Sequence, residues 1–223
     1  MNSNPIQAVI FDLDGTLVDS EAMGLQVLHG MATALGVAWP LQDMLSRFGG
    51  VPMAQCVAAL SRELPAHPPL DQALFVQQLR ANMAERFKQG LQEIPGATAL
   101  LQHLQAIQMP LAIGTNGPRE KAELTLGITG LRGFIGEHLY CAPEVGRFKP
   151  DPALFWHVAE RLGCPPAACA VVEDSLPGLK AGLDAGMKVF SLHPPQGLPH
   201  DVATRVHFIE GLPQLQAQLS IRT

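Results

Sequence analysis

Near the start of the chain, Asp12-Leu13-Asp14-Gly15-Thr16 places two carboxylates two positions apart, directly after the β-rich, mostly apolar run at residues 6–11. At a strand tip such a pair is costly, because charges about 4 Å apart repel by roughly 4 kcal/mol at an effective dielectric of 20. A divalent cation would cancel that repulsion, and carboxylate oxygens are the hard ligands that magnesium takes. A second acidic pair, Glu173-Asp174, follows the apolar run Ala170-Val171-Val172, and Ser175 then opens a helix. If both runs are strands of one parallel sheet, the two pairs face each other across the same edge. They would then form a cage of three to four carboxylates around one cation.

Two other segments offer what a bound anion needs. Thr115-Asn116-Gly117 follows Leu111-Ala112-Ile113 and leads into a helix at Pro118. A hydroxyl, an amide and N–H groups near a helix start make an anion cradle. Lys149 lies in Arg147-Phe148-Lys149-Pro150-Asp151-Pro152, a rigid turn before another helix. Singly, these are an ordinary helix cap and a surface lysine. With the acidic pairs they make a site for phosphate and metal.

The elements that must position these residues can be read from the pattern around them. Short apolar runs at residues 6–11, 111–113, 170–172 and 188–190 are expected as buried parallel strands. Between them lie helical patterns: one from 97 to 107 after Pro95-Gly96, and others with Pro118 and Pro152 as first helical residues. Gly186 is expected to close the helix that carries Leu179 and Leu183. Strands alternating with helices imply an α/β fold, a parallel sheet covered on both faces.

From Asp19 to about Gln92 the texture changes. Met23, Val27, Met31 and Leu35 repeat at near-helical spacing, as do Phe75, Leu79, Met83 and Phe87, and no strand-like run interrupts them. Pro65-Ala66-His67-Pro68-Pro69 reads as a turn between helices. The expected organisation is therefore a core of residues 1–18 and 93–223 with a helical insertion at 19–92. An insertion directly after the first strand would lie over the sheet's carboxyl edge, where ligands bind in open α/β folds.

At 223 residues with 47% hydrophobic residues the chain is long enough for a buried core plus such an insertion. A net charge of −5 with no basic stripe argues against a nucleic-acid partner. The first residues lack a basic segment followed by a long apolar one, and no apolar stretch of about 18 residues occurs, so neither a signal peptide nor a membrane span is expected. The four cysteines show no CxxC pairing and read as reduced thiols of a cytoplasmic protein. The eight histidines are scattered, and His103 and His157 read as structural rather than metal-binding.

Together these segments resemble the haloacid dehalogenase-like hydrolase superfamily, whose four motifs occur here in order at Asp12 to Thr16, Thr115, Lys149 and Glu173-Asp174. The stretch from Val171 through Ser175, Gly178, Ala181 and Ala185-Gly186 is similar to the branch holding sugar-phosphate phosphatases, phosphoglycolate phosphatases and β-phosphoglucomutases. The resemblance implies a Rossmann-like core with an α-helical cap, acting on a small phosphorylated metabolite. It also implies that Asp12 is the nucleophile that forms an aspartyl-phosphate, and that Asp14 is general acid and then base. Thr115, Asn116 and Lys149 would hold the phosphoryl group. Magnesium would be bound by Asp12, the Asp14 carbonyl and Asp174, with support from Glu173. In the cap, the loop Arg47-Phe48-Gly49-Gly50-Val51 resembles a specificity loop in which Arg47 and Gly50 would contact substrate.

Asp14 argues against a dehalogenase or a phosphonatase, and the intact motifs argue against a non-catalytic binding protein of this fold. A phosphosugar mutase is the nearer rival. Counted without gaps from the first motif, a β-phosphoglucomutase has a histidine, a lysine and an arginine where this chain has Gly24, Gly49 and Met53. Without those side chains a second phosphate loses several charge-assisted hydrogen bonds worth about 1.5–3 kcal/mol each. The expected outcome with β-glucose 1-phosphate, with or without the 1,6-bisphosphate, is therefore release of free phosphate. Efficient conversion to glucose 6-phosphate with little phosphate released would reverse that expectation.

Overall fold

Runs of β-branched and small apolar residues form a parallel sheet of six strands among the described residues: β1 (Ala8–Phe11), β2 (Leu111–Thr115), β3 (Leu139–Cys141), β4 (Cys169–Glu173), β5 (Lys188–Ser191) and β6 (His207–Phe208). The computed structural model describes residues 5–48, 51, 53–63 and 70–220. Its chain divides into two compact units, Met1–Val18 with Gln92–Thr223, and Asp19–Leu91.

The order across the sheet is β3-β2-β1-β4-β5-β6, with every pairing parallel. β1, β2 and β4 are buried along their whole length, because both faces are covered. Alternate residues point to opposite faces. Val9, Phe11, Ile113, Val172 and Phe190 pack toward Leu100 and Leu104 of the helix Ala97–Ala106 and Leu215 of the helix Leu212–Ser220. On the other face Ala8, Ile10, Ala112, Val171 and Val189 meet Phe155 and Val158 of the helix Ala153–Arg161, and Leu179 of the helix Leu176–Asp184. Phe11 is level with both Ile113 and Val172. The tips of β1, β2 and β4 therefore share one edge, at the point where strand order reverses around β1.

Several elements differ from the sequence expectation. β3 and β6 have three and two residues, too short for an apolar pattern to emerge. β2 runs on through Thr115 and β4 through Glu173, so these polar residues end their strands rather than follow them. Pro118 and Pro152 stand just before the first helical residues Arg119 and Ala153, one position earlier than expected. Gly186 takes a left-handed φ of 76° one residue past the cap Ala185.

The unit Asp19–Leu91 holds the helices Glu21–Ala34, Leu41–Phe48, Met53–Glu63 and Gln72–Lys88. The last begins at Asp71, whose side chain accepts the Leu74 N–H at 3.0 Å, and buries Phe75, Leu79, Met83 and Phe87. In the helix Glu21–Ala34 the buried residues are Gly24, Leu25, Leu28 and Ala32. The expected stripe of Met23, Val27, Met31 and Leu35 is half-buried, with Leu35 exposed. That helix is apolar around most of its circumference, so spacing alone does not select its packed face. The small Gly24 does, since an added Cβ would come 2.9 Å from Met83 Cε. The turn expected at residues 65–69 lies outside the described residues. No described helix is long and apolar enough to cross a membrane.

Leu100, fully buried under the sheet and on the opposite face from Phe155, tests the packing. Leu100→Ala should lower unfolding stability in urea by about 2–5 kcal/mol while the folded fraction keeps its activity. A midpoint shift near zero would contradict this core.

Candidate active site

Asp12 follows β1 directly, and its N–H donates to the Val172 carbonyl of β4 at 2.9 Å. The chain then turns back on itself. The Leu17 and Val18 N–H groups donate to the Leu13 carbonyl, and the Gly15 N–H donates to that of Val18. Gly15 has φ 82°, a left-handed value that L side chains rarely adopt. A Cβ there would also collide with the Asp174 carboxylate. Glycine at this position lets the two acidic loops approach each other.

Lys149 supplies the cation at the centre. Its Nζ donates to Asp12 Oδ1 at 2.5 Å and to Glu173 Oε1 at 2.7 Å, and lies 4.9 Å from the centre of the Phe155 ring. The main chain of Lys149 is gripped from β2's loop: its N–H donates to Asn116 Oδ1 at 2.9 Å, and its carbonyl accepts from Asn116 Nδ2 at 3.3 Å. The Asn116 side chain thus holds Lys149 in place beside the site. Thr115 is buried, with its Oγ1 accepting the Gly117 N–H at 3.0 Å.

Glu173 is fully buried and saturated with donors. Beyond Lys149 on Oε1, its Oε2 accepts from the Asp174 N–H, the Ser175 N–H and the Ser175 hydroxyl at 2.8–3.0 Å. The carboxylate occupies the space beside Gly178, where any Cβ would collide with it. A glycine early in the helix Leu176–Asp184, unfavourable by about 1 kcal/mol relative to alanine, is explained by that approach. Ser175 caps the same helix, its Oγ accepting the Gly178 N–H at 3.3 Å.

Asp174 accepts the Thr16 hydroxyl at 3.2 Å. Asp12, Glu173 and Asp174 each offer an oxygen within 4.8 Å of the others. With Lys149 paired to two of these three carboxylates, one divalent cation would bring the group to neutrality. The donors are all hard oxygens, so the residues fit magnesium. Burial pushes the Asp12 carboxyl up to about 7 from an ordinary 3.8; Lys149 opposes that rise, while Glu173 and Asp14 add to it. Burial alone would lower the Lys149 ammonium, but Asp12 and Glu173 beside it outweigh this and raise it above its ordinary range.

Asp14 stands further out, and its Oδ1 pairs with Lys121 Nζ at 2.8 Å. Lys121 is the residue that sequence reasoning missed. Its signal was a lysine in the first turn of the helix Arg119–Ile128, where the helix dipole disfavours a cation unless a carboxylate faces it. Ser175 was recognised only as a helix opener. The structure therefore brings Asp12, Asp14, Thr115, Asn116, Lys149, Glu173 and Asp174 together around adjoining strand tips. Arg47 belongs to the other unit, where its guanidinium lies 3.8 Å from Glu63 and 4.7 Å from the Trp39 ring centre. Gly49 and Gly50 lie outside the described residues.

The family described as haloacid dehalogenase-like hydrolase matches residues 6–186. The chain is 33% identical over 213 residues to the 6-phosphogluconate phosphatase of Escherichia coli, covering 94% of each chain. It is 32% identical over 203 residues to hexitol phosphatase A of the same organism, covering 90% of each. Among solved structures, a haloacid dehalogenase family hydrolase from Deinococcus radiodurans with bound phosphate and sodium superposes with a TM-score of 0.78 at 33% identity, covering 98% of this chain and 96% of that one. With motifs and fold in agreement, the chain belongs to the haloacid dehalogenase-like hydrolases. Within them it is a phosphoric monoester hydrolase.

The buried Asp12 makes a test of the site without turnover. The unfolded chain releases the Asp12 proton near 3.8 and the folded chain only near 7. The folded state therefore binds the extra proton in that window, and stability falls as pH rises through it. Asp12→Asn removes this slope. In urea unfolding with EDTA, the stability of the variant relative to the parent should rise by up to a few kcal/mol between pH 4 and pH 7 and then level off. A difference that stays flat or runs the other way would contradict this burial.

Proposed function

We propose that the protein is a magnesium-dependent phosphatase of a small phosphorylated sugar or sugar acid, with Asp12 as nucleophile. The observation that carries this reading is Asp12 at the tip of the central strand, with Lys149 on one oxygen and Asp174 close by. In the first step an Asp12 oxygen bonds to phosphorus as the bond to the leaving oxygen breaks. Asp14 gives its proton to that oxygen. In the second step Asp14 takes a proton from water as the water attacks the aspartyl-phosphate, which frees inorganic phosphate and restores Asp12.

Asp12, Asp174 and the Asp14 carbonyl would hold magnesium, with Glu173 completing the charge around it. The ion would supply neutralisation of the phosphoryl oxygens. Lys149 balances Asp12 and, with the Thr115 hydroxyl and the main chain at Asn116, donates to the transferring group. Glu173 fixes Lys149 and Asp174 in place. For the substrate class, support comes from relatives named for 6-phosphogluconate and hexitol phosphates. On the resemblance of residues 47–51 to a specificity loop, the unit Asp19–Leu91 is assigned as the cap, with Arg47 and Gly50 as its substrate contacts. Four free cysteines fit a reducing, cytoplasmic location.

Phosphate release from p-nitrophenyl phosphate and from a panel of sugar and sugar-acid phosphates tests this reading. Activity should require magnesium, vanish with EDTA, and fall about a thousandfold or more in Asp12→Asn. Magnesium should also raise the thermal midpoint of the parent, by the linkage of binding to folding, and do so much less in Asp174→Asn. Turnover that survives EDTA or Asp12→Asn would overturn the assignment.

A further inference from the structure

The ion pair between Lys121 and Asp14 has no part in the steps above, yet its geometry is directional. Lys121 Nζ takes one oxygen of Asp14, Oδ1, at 2.8 Å. The other oxygen, Oδ2, lies toward the turn that carries the phosphoryl-binding groups. An ideal Cβ at Gly117 would sit 3.6 Å from Asp14 Oδ2, 3.3 Å from Thr115 Oγ1 and 4.0 Å from Lys121 Cδ. Gly117, with its N–H on Thr115 Oγ1, thus forms the floor on which the Asp14 carboxylate, the Thr115 hydroxyl and the Lys121 stem converge. Lys121 and Asp14 come from different elements, the first turn of the helix after β2 and the loop after β1. Their side chains are 29% and 26% exposed, at the rim of the site, whereas Lys149 is buried at its centre.

We propose that Lys121 is a positioning residue for Asp14: by holding Oδ1 it keeps Oδ2 beside the Thr115–Gly117 turn, next to the phosphoryl-binding groups from which the substrate's leaving oxygen departs. This inference rests on the reading of Asp14 as the proton-transferring group. A carboxylate on a loop can turn about χ1 and χ2, and only a fraction of its orientations place an oxygen within hydrogen-bond reach of a leaving oxygen. One anchored oxygen removes most of that freedom, and orientation of this kind is worth substantial rate. The pair is half in solvent, where such pairs contribute about 0–1 kcal/mol to stability. Its use is therefore orientation rather than stability.

The test compares Lys121→Met, Lys121→Arg, Asp14→Asn and the double variant Asp14→Asn/Lys121→Met. The substrates are p-nitrophenyl phosphate, whose leaving group needs no proton, and an alkyl or sugar phosphate, whose leaving group does. For the alkyl substrate Lys121→Met should lose about tenfold or more in kcat, part of the 10²–10⁴ that acid–base catalysis supplies. KM and the thermal midpoint should stay close to the parent's. For formation of the phosphoenzyme from p-nitrophenyl phosphate the loss should be several times smaller. Lys121→Arg should restore part of the rate, and the double variant should be no slower than Asp14→Asn alone, because Lys121 acts through Asp14. Equal losses on both substrates, a change confined to KM, additive losses in the double variant or no loss at all would each overturn the inference, with Asp14→Asn still crippled. If Asp14→Asn itself keeps its activity, the acid–base reading falls and this inference with it.

Discussion

One ammonium group, buried between two carboxylates, is the constraint from which most of the core unit follows. Lys149 Nζ touches both Asp12 and Glu173 while almost wholly shielded from water. Taking such charges out of water costs several kcal/mol per ion, recovered only when the geometry is good and the remaining polar atoms are satisfied. The neighbouring residues supply that geometry. Asn116 grips the main chain of Lys149 on both sides, Ser175 and two N–H groups saturate Glu173, and Phe155 lays its ring face against the ammonium. Gly178 leaves room for the Glu173 carboxylate. Removing the ammonium would leave two carboxylates facing each other in a dry place with no cation between them, whereas losing one carboxylate still leaves Lys149 a partner.

The acidic residues at this edge divide their work by depth. Glu173 is the deepest and is fully paired. Asp12 is shielded but stands at the tip of β1, with burial raising its affinity for a proton. Asp174 is half-buried, and its carboxylate accepts the Thr16 hydroxyl. Asp14, also half-buried, pairs with a lysine of the helix after β2. Asp12, Glu173 and Asp174 bring oxygens within 4.8 Å of one another, close enough for one metal ion to be held among them. Four carboxylates of identical chemistry thus acquire different roles from burial and hydrogen bonding alone.

Much of this was legible in the chain because chemistry-bearing residues stand directly after, or at the end of, short apolar runs. That is how the α/β core and the groups at Asp12, Thr115 and Glu173 could be read together. What escaped notice had no such marker. β3 and β6 are strands by virtue of their neighbours' open edges rather than their own composition. The packed face of the helix Glu21–Ala34 depends on which side is small enough to approach Met83, information held in a distant segment. The clamp of Asn116 on Lys149 joins residues 33 apart in sequence, and spacing cannot foretell which way an amide turns. Lys121 carried only the weak signal of a cation in a helix's first turn, and its partner lies on another loop.

The placement of the unit Asp19–Leu91 has a consequence for the birth of the protein on the ribosome. β1 is the central strand, yet its neighbours β2 and β4 begin at Leu111 and Cys169. The helical unit, by contrast, is continuous in sequence, and domains generally fold as units during synthesis. It can close on itself while β1 still has no strand beside it. The chain therefore emerges with the β1 segment bare on both edges, and Asp12 meets Lys149 and Glu173 only after those later segments have left the exit tunnel. Until then the negative charges at the first loop help keep this apolar strand from pairing with the wrong chain.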